Sequence, residues 1–369
     1  MNINNIVSPT LILDKNKCLN NIRFMSEKAK KHKLIFRPHF KTHQSRTIGK
    51  WYKQYGINEI TVSSLQMAEY FAYDDWKDIT VAFPVNIREI DTINSLAEEI
   101  QLNLTLENTE SVSFLNKKLE FEVGFFIKID TGYKRTGISF DIFLTIDKIL
   151  KLASESDKLV FKGFLSHAGN TYDTKKTDEI IDIHKDALYK LSLLKKQYIE
   201  KYPDLIMSTG DTPSCSLAEN FEEIDEIRPG NFIFYDLMQY QLGTCNFNQI
   251  TTIMACPVVS KHSERKEIII HGGGIHFSKE SIKIGNKNIY GKLVHFTKDG
   301  WTEANNDHYL VKLSQEHGTL VIKDELFDTI EIGDLVGIMP VHSCLTANLM
   351  KEYLSTDDDV IDHFSGCNK

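Results

Sequence analysis

Hydrophobic and polar positions follow two different patterns along this 369-residue chain. Up to about residue 245, short runs rich in β-branched and aromatic residues alternate with longer stretches whose apolar residues recur at helical spacing. The short runs predict strands at Leu34–Arg37, Glu59–Val62, Ile79–Phe83, Leu102–Leu106, Glu122–Ile129, Leu159–Leu165, Leu205–Ser208 and Ile224–Arg228. The longer stretches predict helices, among them Leu65–Tyr73, Arg88–Ile100, Asp141–Ser154 and Asp178–Tyr202.

Strands that alternate with helices form a parallel sheet, because each helix returns the chain to the start of the next strand. The eight predicted strands fall within roughly 220 residues, which suits an α/β fold of the (β/α)8, TIM-barrel type. A doubly wound open sheet shows the same alternation, and the strand count does not exclude it. We predict the barrel.

The pattern of hydrophobic and polar positions changes after residue 246. Runs such as RKEIIIH, HYLVKLSQ and DLVGIMPV are separated by Gly, Asn and Asp turns, and no long helical pattern returns until Ala347–Leu354. This pattern predicts a separate β domain. We therefore predict a barrel at residues 15–245 and a C-terminal β domain at residues 246–369, with residues 1–14 packing against the β domain.

Composition and charge narrow the function. The formal net charge of -8 argues against a nucleic-acid ligand and gives no attraction to anionic membranes. No apolar run approaches the roughly 20 residues that span a bilayer, and the first residues lack the pattern of a signal peptide. The six cysteines show no CxxC spacing, which is typical of reduced thiols. We expect a soluble, cytoplasmic protein.

Polar and small residues follow five of the predicted strands, where barrel enzymes place their chemistry. The residues or segments, in strand order, are His39, Lys41 and His43; Asp130 and Arg135; His167, Asn170 and Tyr172; STGDTPS; and RPGNFIFYD. The last two follow strands seven and eight, where barrels often bind phosphate through backbone N–H groups. These loops therefore predict a phosphate site.

A lysine, Lys41, follows the first predicted strand and so lies in the same predicted barrel mouth as the phosphate site. A single lysine in a strand–helix loop is most often a surface residue. Lys41, however, lies between two histidines and shares the predicted barrel mouth with a phosphate site and with Arg135 and His167. That combination makes it a candidate for a Schiff base with pyridoxal 5'-phosphate.

Seven motifs in order along nearly the whole chain resemble one family. They are RPHFKTH, DTGYKRTG, SHAGNTY, STGDTPS, RPGNFIFYD, QEHGTL and IGDLVGIMPVHSC. They resemble the D-serine dehydratase and D-threonine aldolase family, fold type III pyridoxal-phosphate enzymes whose N-terminal barrel is that of alanine racemase. The resemblance implies the barrel fold, the cofactor and a homodimer.

The resemblance also implies roles for individual residues. Lys41 would form the Schiff base and act in catalysis with His167. The resemblance further implies residues that contact the cofactor ring or its phosphate. These are His39, Arg135, His167, Tyr172, Gly210, Asp211, Thr212, Gly230 and Asn231. A carboxylate repels phosphate, so we expect Asp211 to contribute its N–H and to turn its side chain away.

His342 and Cys344 match the metal ligands of the family. On a strand, a His-x-Cys pair would put both side chains on one face. An imidazole and a thiolate favour Zn²⁺, while Mn²⁺ or Mg²⁺ suits them less. The aldolase branch usually has His-x-Asp here, so Cys344 favours the dehydratase branch. Glu316 and His317 are candidates for orienting a ligand or water.

The resemblance implies a zinc- and pyridoxal-phosphate-dependent dehydratase of D-3-hydroxy amino acids, converting D-serine to pyruvate and ammonia. One alternative is a D-threonine aldolase-type lyase, which would give glycine and an aldehyde. An alternative of another class is a non-catalytic pyridoxal-phosphate carrier, although such proteins lack the β domain.

The segment HGGGIHFSKE, His271 to Glu280, departs from the family pattern by carrying His271 and His276. An exposed loop is the slightly favoured interpretation, and altered substrate recognition is the alternative.

Overall fold

The structure is a computed structural model that describes residues 3–303, 308–323 and 325–366. Its described residues form two compact units. The barrel unit comprises residues 23–41, 49–230 and 366. The β unit comprises the described residues within 3–22, 42–48 and 231–365. The predicted domain bounds stay a prediction, and Cys367 lies outside the described residues.

The strands are numbered in chain order. They are β1 Thr10–Leu13, β2 Ile35–Phe36, β3 Glu59–Val62, β4 Asp78–Pro84, β5 Gln101–Leu106, β6 Val123–Asp130, β7 Ile138–Ser139, β8 Leu159–Ser166, β9 Ile206–Thr209, β10 Glu226–Ile227, β11 Thr252–His262, β12 Glu267–His271, β13 Ile282–Ile284, β14 Lys287–Ile289, β15 Gly291–Thr297, β16 Gly300–Glu303, β17 Tyr309–Leu313, β18 His317–Val321, β19 Leu335–Pro340, β20 Tyr353–Ser355 and β21 Val360–Ile361.

The helices follow the same order. They are α1 Lys15–Lys31, α2 Arg46–Lys53, α3 Leu65–Ala72, α4 Ile90–Glu99, α5 Thr109–Lys118, α6 Phe143–Ala153, α7 Thr177–Tyr198, α8 Thr212–Leu217, α9 Leu237–Gln241, α10 Gly274–Phe277, α11 Leu326–Thr329 and α12 Ser343–Met350. Short 3-10 turns lie at Ile3–Asn5, Ile87–Glu89, Gly169–Asp173, Asn231–Ile233 and Phe247–Gln249.

The barrel unit contains a strand at each of the eight predicted positions. Their order is β2-β10-β9-β8-β6-β5-β4-β3, and all of these neighbours are parallel. A parallel bridge between His39 and Thr61 joins the two ends of the order, so the sheet closes. The prediction of a barrel rather than an open sheet is confirmed.

Sequence explains why these strands and helices form. Strand β6 reads VGFFIKID and is buried along nearly its full length, as expected of a parallel strand covered on both faces. Ser64 and Asn108 each accept a backbone N–H at the start of α3 and α5. Gly163 lies in β8 at φ +141 beside a register shift, where a side chain would collide with the backbone of Ile206.

The β unit is built on a largely antiparallel sheet with the order β12-β18-β17-β15-β19-β11-β1-β20-β21. The β-rich C-terminal domain is therefore confirmed. Strand β1 pairs antiparallel with β11 and parallel with β20, so the N-terminal strand belongs to this sheet. Among the described residues, no helix is both long enough and apolar enough to cross a membrane.

The helix predicted at Ala347–Leu354 is wrong in its bounds. Helix α12 ends at Met350, because Lys351 adopts a left-handed conformation at φ +62. Tyr353–Ser355 then forms β20, where Leu354 lies opposite Ile12 of β1. This long-range strand pairing is the reason the helical pattern stops early.

Candidate active site

The first loop of the barrel unit carries His39 and Lys41. Strand pairing continues past β2, since the His39 N–H donates to the Pro229 carbonyl oxygen at 2.9 Å. His39 Nδ1 lies 3.5 Å from the backbone nitrogen of Lys41. Lys41 is exposed. Burial lowers the pKa of His39 well below its usual value, and the charge of Lys41 lowers it further. The neutral imidazole therefore lies within the field of the lysine.

His167 follows β8, and its tautomer is set by a neighbour. Its Nδ1 lies 3.0 Å from the carbonyl oxygen of Gly210. A carbonyl can only accept, so Nδ1 carries the hydrogen and Nε2 carries a lone pair. Burial, followed by the charge of Lys128, lowers the pKa of His167 well below its usual value. Nε2 is thus available as a neutral base.

The segment STGDTPS forms the turn into α8. Asp211 caps this helix, since its Oδ1 accepts the Ser214 N–H at 2.8 Å and the Thr171 hydroxyl at 2.9 Å. Its side chain is directed to the helix end, and burial raises its pKa to about 6. The Thr212 N–H donates to the Tyr172 hydroxyl oxygen at 3.3 Å. The Tyr172 hydroxyl thus lies beside the backbone at the start of α8.

Two further predicted residues are less enclosed. Arg135 is exposed, and its guanidinium carbon lies 4.9 Å from the centre of the Tyr133 ring. Gly230 is half-exposed just after β10. Their predicted contacts with a cofactor stay predictions.

Lys128 and Arg228 are buried basic residues that sequence reasoning missed. Burial, then the charges of Arg228 and Arg135, lowers the pKa of Lys128 well below its usual value. Burial lowers the pKa of Arg228 to about 10, although Glu226 opposes that shift. The available signal was a charged residue inside or directly after an otherwise apolar strand run.

A polar network inside the barrel holds Arg228 in place. Arg37 Nε donates to Glu226 at 2.6 Å, and the Ser208 hydroxyl donates to the same carboxylate at 2.6 Å. Arg228 Nε donates to Ser208 Oγ at 2.6 Å, and its Nη2 donates to the Ser166 carbonyl oxygen. These hydrogen bonds restrain the guanidinium of Arg228.

The barrel unit therefore presents a lysine, two neutral imidazoles and two buried cations at the carboxyl ends of its strands. Burial and then mutual repulsion lower the pKa values of His39, His167 and Lys128, and an anionic ligand would relieve the repulsion. Backbone and hydroxyl donors near Thr212 suit phosphate oxygens. These residues fit pyridoxal 5'-phosphate.

The β unit brings His342 and Cys344 together, although not on a strand as expected. Strand β19 ends at Pro340, and His342 is the residue before α12. Burial lowers the pKa of His342, but the hydrogen bond to Cys344 and its charge outweigh burial and raise the pKa to about 9. Burial raises the pKa of Cys344, and the same hydrogen bond lowers it below its usual value. His342 and Cys344 therefore form one hydrogen-bonded pair.

Partners around Cys344 complete this second cluster. Asn231 Nδ2 donates to Cys344 Sγ at 3.3 Å and to Asp236 Oδ2 at 2.8 Å, and Thr42 Oγ1 lies 3.4 Å from Sγ. The Asn231 side chain, predicted near phosphate, thus lies with the metal pair, and its predicted phosphate contact stays a prediction. Oδ1 of Asn231 is buried and has no hydrogen-bond partner among the described residues. A thiolate, an imidazole and an unpaired carbonyl fit a soft divalent cation.

Glu316, predicted to orient a metal ligand or water, lies beside two histidines of the β unit. Its Oε2 is 3.8 Å from His271 Nε2 and 4.0 Å from His276 Nε2. His271 ends β12 and His276 lies in α10, so the favoured interpretation of this segment as an exposed loop is wrong. The strand and helix hold the two rings in a defined cluster.

A parallel eight-stranded barrel followed in one chain by a β-rich unit is the architecture of the alanine racemase-like enzyme fold. The alanine racemase N-terminal domain model matches residues 13–237, and the serine dehydratase domain model matches residues 252–356. The chain belongs to the alanine racemase N-terminal domain family, and the predicted resemblance is confirmed.

Individual proteins are similar over almost the full chain. A D-serine dehydratase of Dictyostelium discoideum is 28% identical, with 98% of this chain and 97% of that protein covered. The structure of D-threo-3-hydroxyaspartate dehydratase from Delftia sp. HT23 has a TM-score of 0.89 at 20% identity, with 98% and 99% covered. A metal-free cysteine-to-alanine mutant of D-threo-3-hydroxyaspartate dehydratase has a TM-score of 0.90 at 19% identity, with 98% and 99% covered. These two structures show the shared fold.

Proposed function

We propose that this chain is a pyridoxal-phosphate- and zinc-dependent lyase that dehydrates D-3-hydroxy amino acids, converting D-serine to pyruvate and ammonia. The observation that carries the proposal is the meeting of His342 and Cys344 at the start of α12, where Asn231 and Thr42 contact the sulfur. Full-length similarity to a D-serine dehydratase supports it.

The barrel unit would hold the cofactor. Lys41 would supply the amine. Phosphate would be bound by the Tyr172 hydroxyl and by backbone groups of Gly210, Asp211, Thr212 and Gly230. His39, Arg135 and His167 line the ring. When bound, pyridoxal phosphate supplies an electron sink for a carbanion at Cα.

The chain's own residues would move the protons. The Lys41 amine takes the Cα proton from the substrate. The cationic field of Lys128 and Arg228 attracts the substrate carboxylate. The network through Ser208 and Glu226 keeps Arg228 from rotating, so this field is fixed before substrate arrives.

His342 and Cys344 would hold Zn²⁺, a Lewis acid that helps a hydroxyl group to leave. Asn231 and Thr42 orient the sulfur through their contacts with Sγ. The metal-free state of a cysteine-to-alanine mutant of D-threo-3-hydroxyaspartate dehydratase supports this assignment.

A retro-aldol lyase is the second candidate. The neutral Nε2 of His167 favours it, because this atom could take the β-hydroxyl proton and so start cleavage between Cα and Cβ. D-Threonine separates the two reactions. Dehydration gives 2-oxobutanoate and ammonia, while retro-aldol cleavage gives glycine and acetaldehyde.

We expect 2-oxobutanoate and ammonia in equal amounts when protein loaded with pyridoxal phosphate and Zn²⁺ is incubated with D-threonine. Chromatography of the keto acid and amino acid products checks this. Glycine as the main product would assign the aldolase reaction instead. No product from any D-amino acid, with the cofactor bound, would support a carrier.

A further inference from the structure

The cluster of His271, His276 and Glu316 is unused by the proposed reaction. One ligand atom from each residue lies within 4.8 Å of those of the other two. His271 and His276 each turn Nε2 to the same Glu316 oxygen, at 3.8 and 4.0 Å. The described residues of the β unit thus hold a two-imidazole, one-carboxylate group in addition to the His–Cys pair.

The fold builds this cluster through a close approach of two chain segments. His271 lies opposite His317 in the pairing of β12 with β18, which places Glu316 at the same edge. The Gly272 N–H donates to the Glu316 carbonyl oxygen at 2.9 Å. A Cβ on Gly273 would lie 2.2 Å from the Gln315 carbonyl oxygen, so the approach requires glycine there. The three side chains are therefore brought together by main-chain geometry.

We propose that His271, His276 and Glu316 form a second site for a divalent transition-metal ion, Zn²⁺ being the probe of choice. Two imidazoles and one carboxylate are a common ligand set for such ions. Ligands of a tetrahedral zinc ion are about 3.4 Å apart, given metal–ligand distances of about 2.1 Å. The observed distances of 3.8 and 4.0 Å require only a small closure.

Charge favours a cation over an anion at this place. The Glu316 carboxylate lies between the two rings and would repel a phosphate or carboxylate ligand. The side chains of His271, His276 and Glu316 are 39%, 14% and 43% exposed, so water can reach the ion and complete its coordination. The site is thus open on one side.

One contact must change when the ion binds. The Gly273 N–H donates to His276 Nδ1 at 3.0 Å, which leaves the ring hydrogen on Nε2. Coordination through Nε2 places the hydrogen on Nδ1 and replaces that bond. The free energy lost with one neutral hydrogen bond is small compared with the free energy gained from three metal–ligand bonds.

Zinc titration of variants tests the site without relying on activity. In the full chain carrying His342→Ala and Cys344→Ala, freed of metal with a chelator, we expect calorimetry to find one bound Zn²⁺. Adding His276→Ala and Glu316→Gln should weaken that binding about 100-fold or more, since two ligands are lost. The matched control is His262→Ala, because among the described residues His262 pairs with one carboxylate, that of Glu264, at 3.7 Å.

Cobalt gives a second measurement on unmutated protein, should the first variant fail to fold. A cobalt ion bound by Cys344 shows thiolate charge-transfer absorption, whereas cobalt on the second site shows only weak d–d bands. We expect two equivalents with distinct spectra, and His276→Ala should remove one equivalent while leaving the thiolate charge-transfer absorption unchanged. A single equivalent in the unmutated protein, or zinc binding unaffected by His276→Ala with Glu316→Gln, would overturn the proposal.

Discussion

At the residue scale, basic groups gather around Lys41 in the barrel unit. Burial and the charges of neighbouring cations lower the pKa values of His39, His167 and Lys128 well below their usual ranges. Each group would hold its proton more tightly beside an anion. A bound phosphate or carboxylate is therefore the natural counterpart of this region.

Replacing Cys344 by alanine removes the sulfur ligand of the predicted zinc site. We expect elemental analysis to find one zinc fewer per chain than in unmutated protein. D-Serine turnover should fall about 100-fold or more, because Lewis-acid assistance to the leaving hydroxyl is lost. Cys256→Ala is the control, since Cys256 is a buried thiol of the same unit. Normal turnover by a Cys344→Ala protein that lacks this zinc would refute the role.

His43 predicts a pH dependence of stability. Burial, and then the charge of His363, lowers its pKa to about 3. The folded state thus binds fewer protons than the unfolded state, so stability is lost as pH falls below the unfolded pKa of about 6.5. The loss from this group between pH 7 and pH 5 should be about 2 kcal/mol.

Urea unfolding of His43→Asn at pH 7, 6 and 5 checks this. The asparagine oxygen can still accept the Ser45 N–H that His43 Nδ1 accepts at 3.1 Å. Its free energy of unfolding should vary less with pH than that of unmutated protein by about 2 kcal/mol. The exposed His295→Asn is the control. Parallel pH curves for His43→Asn and unmutated protein would contradict the assignment.

Residue-level prediction succeeded in finding loops and failed on long-range contacts. RPHFKTH and STGDTPS could be recognised because each follows an apolar strand run. The meeting of Glu316 with His271 could not be predicted, since it depends on the register of β12 with β18. Asp236 accepts the Ser343 N–H at 3.0 Å. This contact could not be predicted either, because the two residues are far apart in sequence.

At the element scale, hydrophobic runs predicted each barrel strand because parallel strands are buried on both faces. The pair His342–Cys344 was placed on a strand because the apolar run LVGIMPV leads straight into it. The structure begins α12 at Ser343, whose N–H is held by Asp236. A helix start fixed by a distant carboxylate leaves no local signal.

Gly163 gives a prediction for strand β8. Its φ of +141 is strained for other residues, and an added Cβ would lie 2.0 Å from the Ile206 carbonyl oxygen in β9. We expect Gly163→Ala to lower the free energy of unfolding by at least about 3 kcal/mol. Urea unfolding measures this.

Gly285→Ala is the matched control. Gly285 also has a positive φ, +59, but no atom of the described residues lies within 4 Å of the added Cβ. Its cost should be about 1 kcal/mol, which reflects backbone conformation alone. Equal losses for the two variants would show that the close contact between β8 and β9 is unimportant.

At the scale of the whole molecule, both predicted architectures are present, a closed barrel and a β-rich unit. The N-terminal strand joins the β unit's sheet through β11 and β20. A homodimer and a cytoplasmic location stay predictions, because strand and helix periodicity carries no signal for either. The motifs predicted the fold well because barrel order places successive loops at one rim.

The central claim is that Lys41 holds pyridoxal phosphate, and reductive labelling tests it most directly. Protein loaded with the cofactor is reduced with borohydride, digested and sequenced by mass spectrometry. We predict a pyridoxyl group on the peptide containing Lys41, and none in Lys41→Arg, which should also lose D-serine turnover. A label on the buried Lys128 instead, or no labelled lysine at all, would contradict the account.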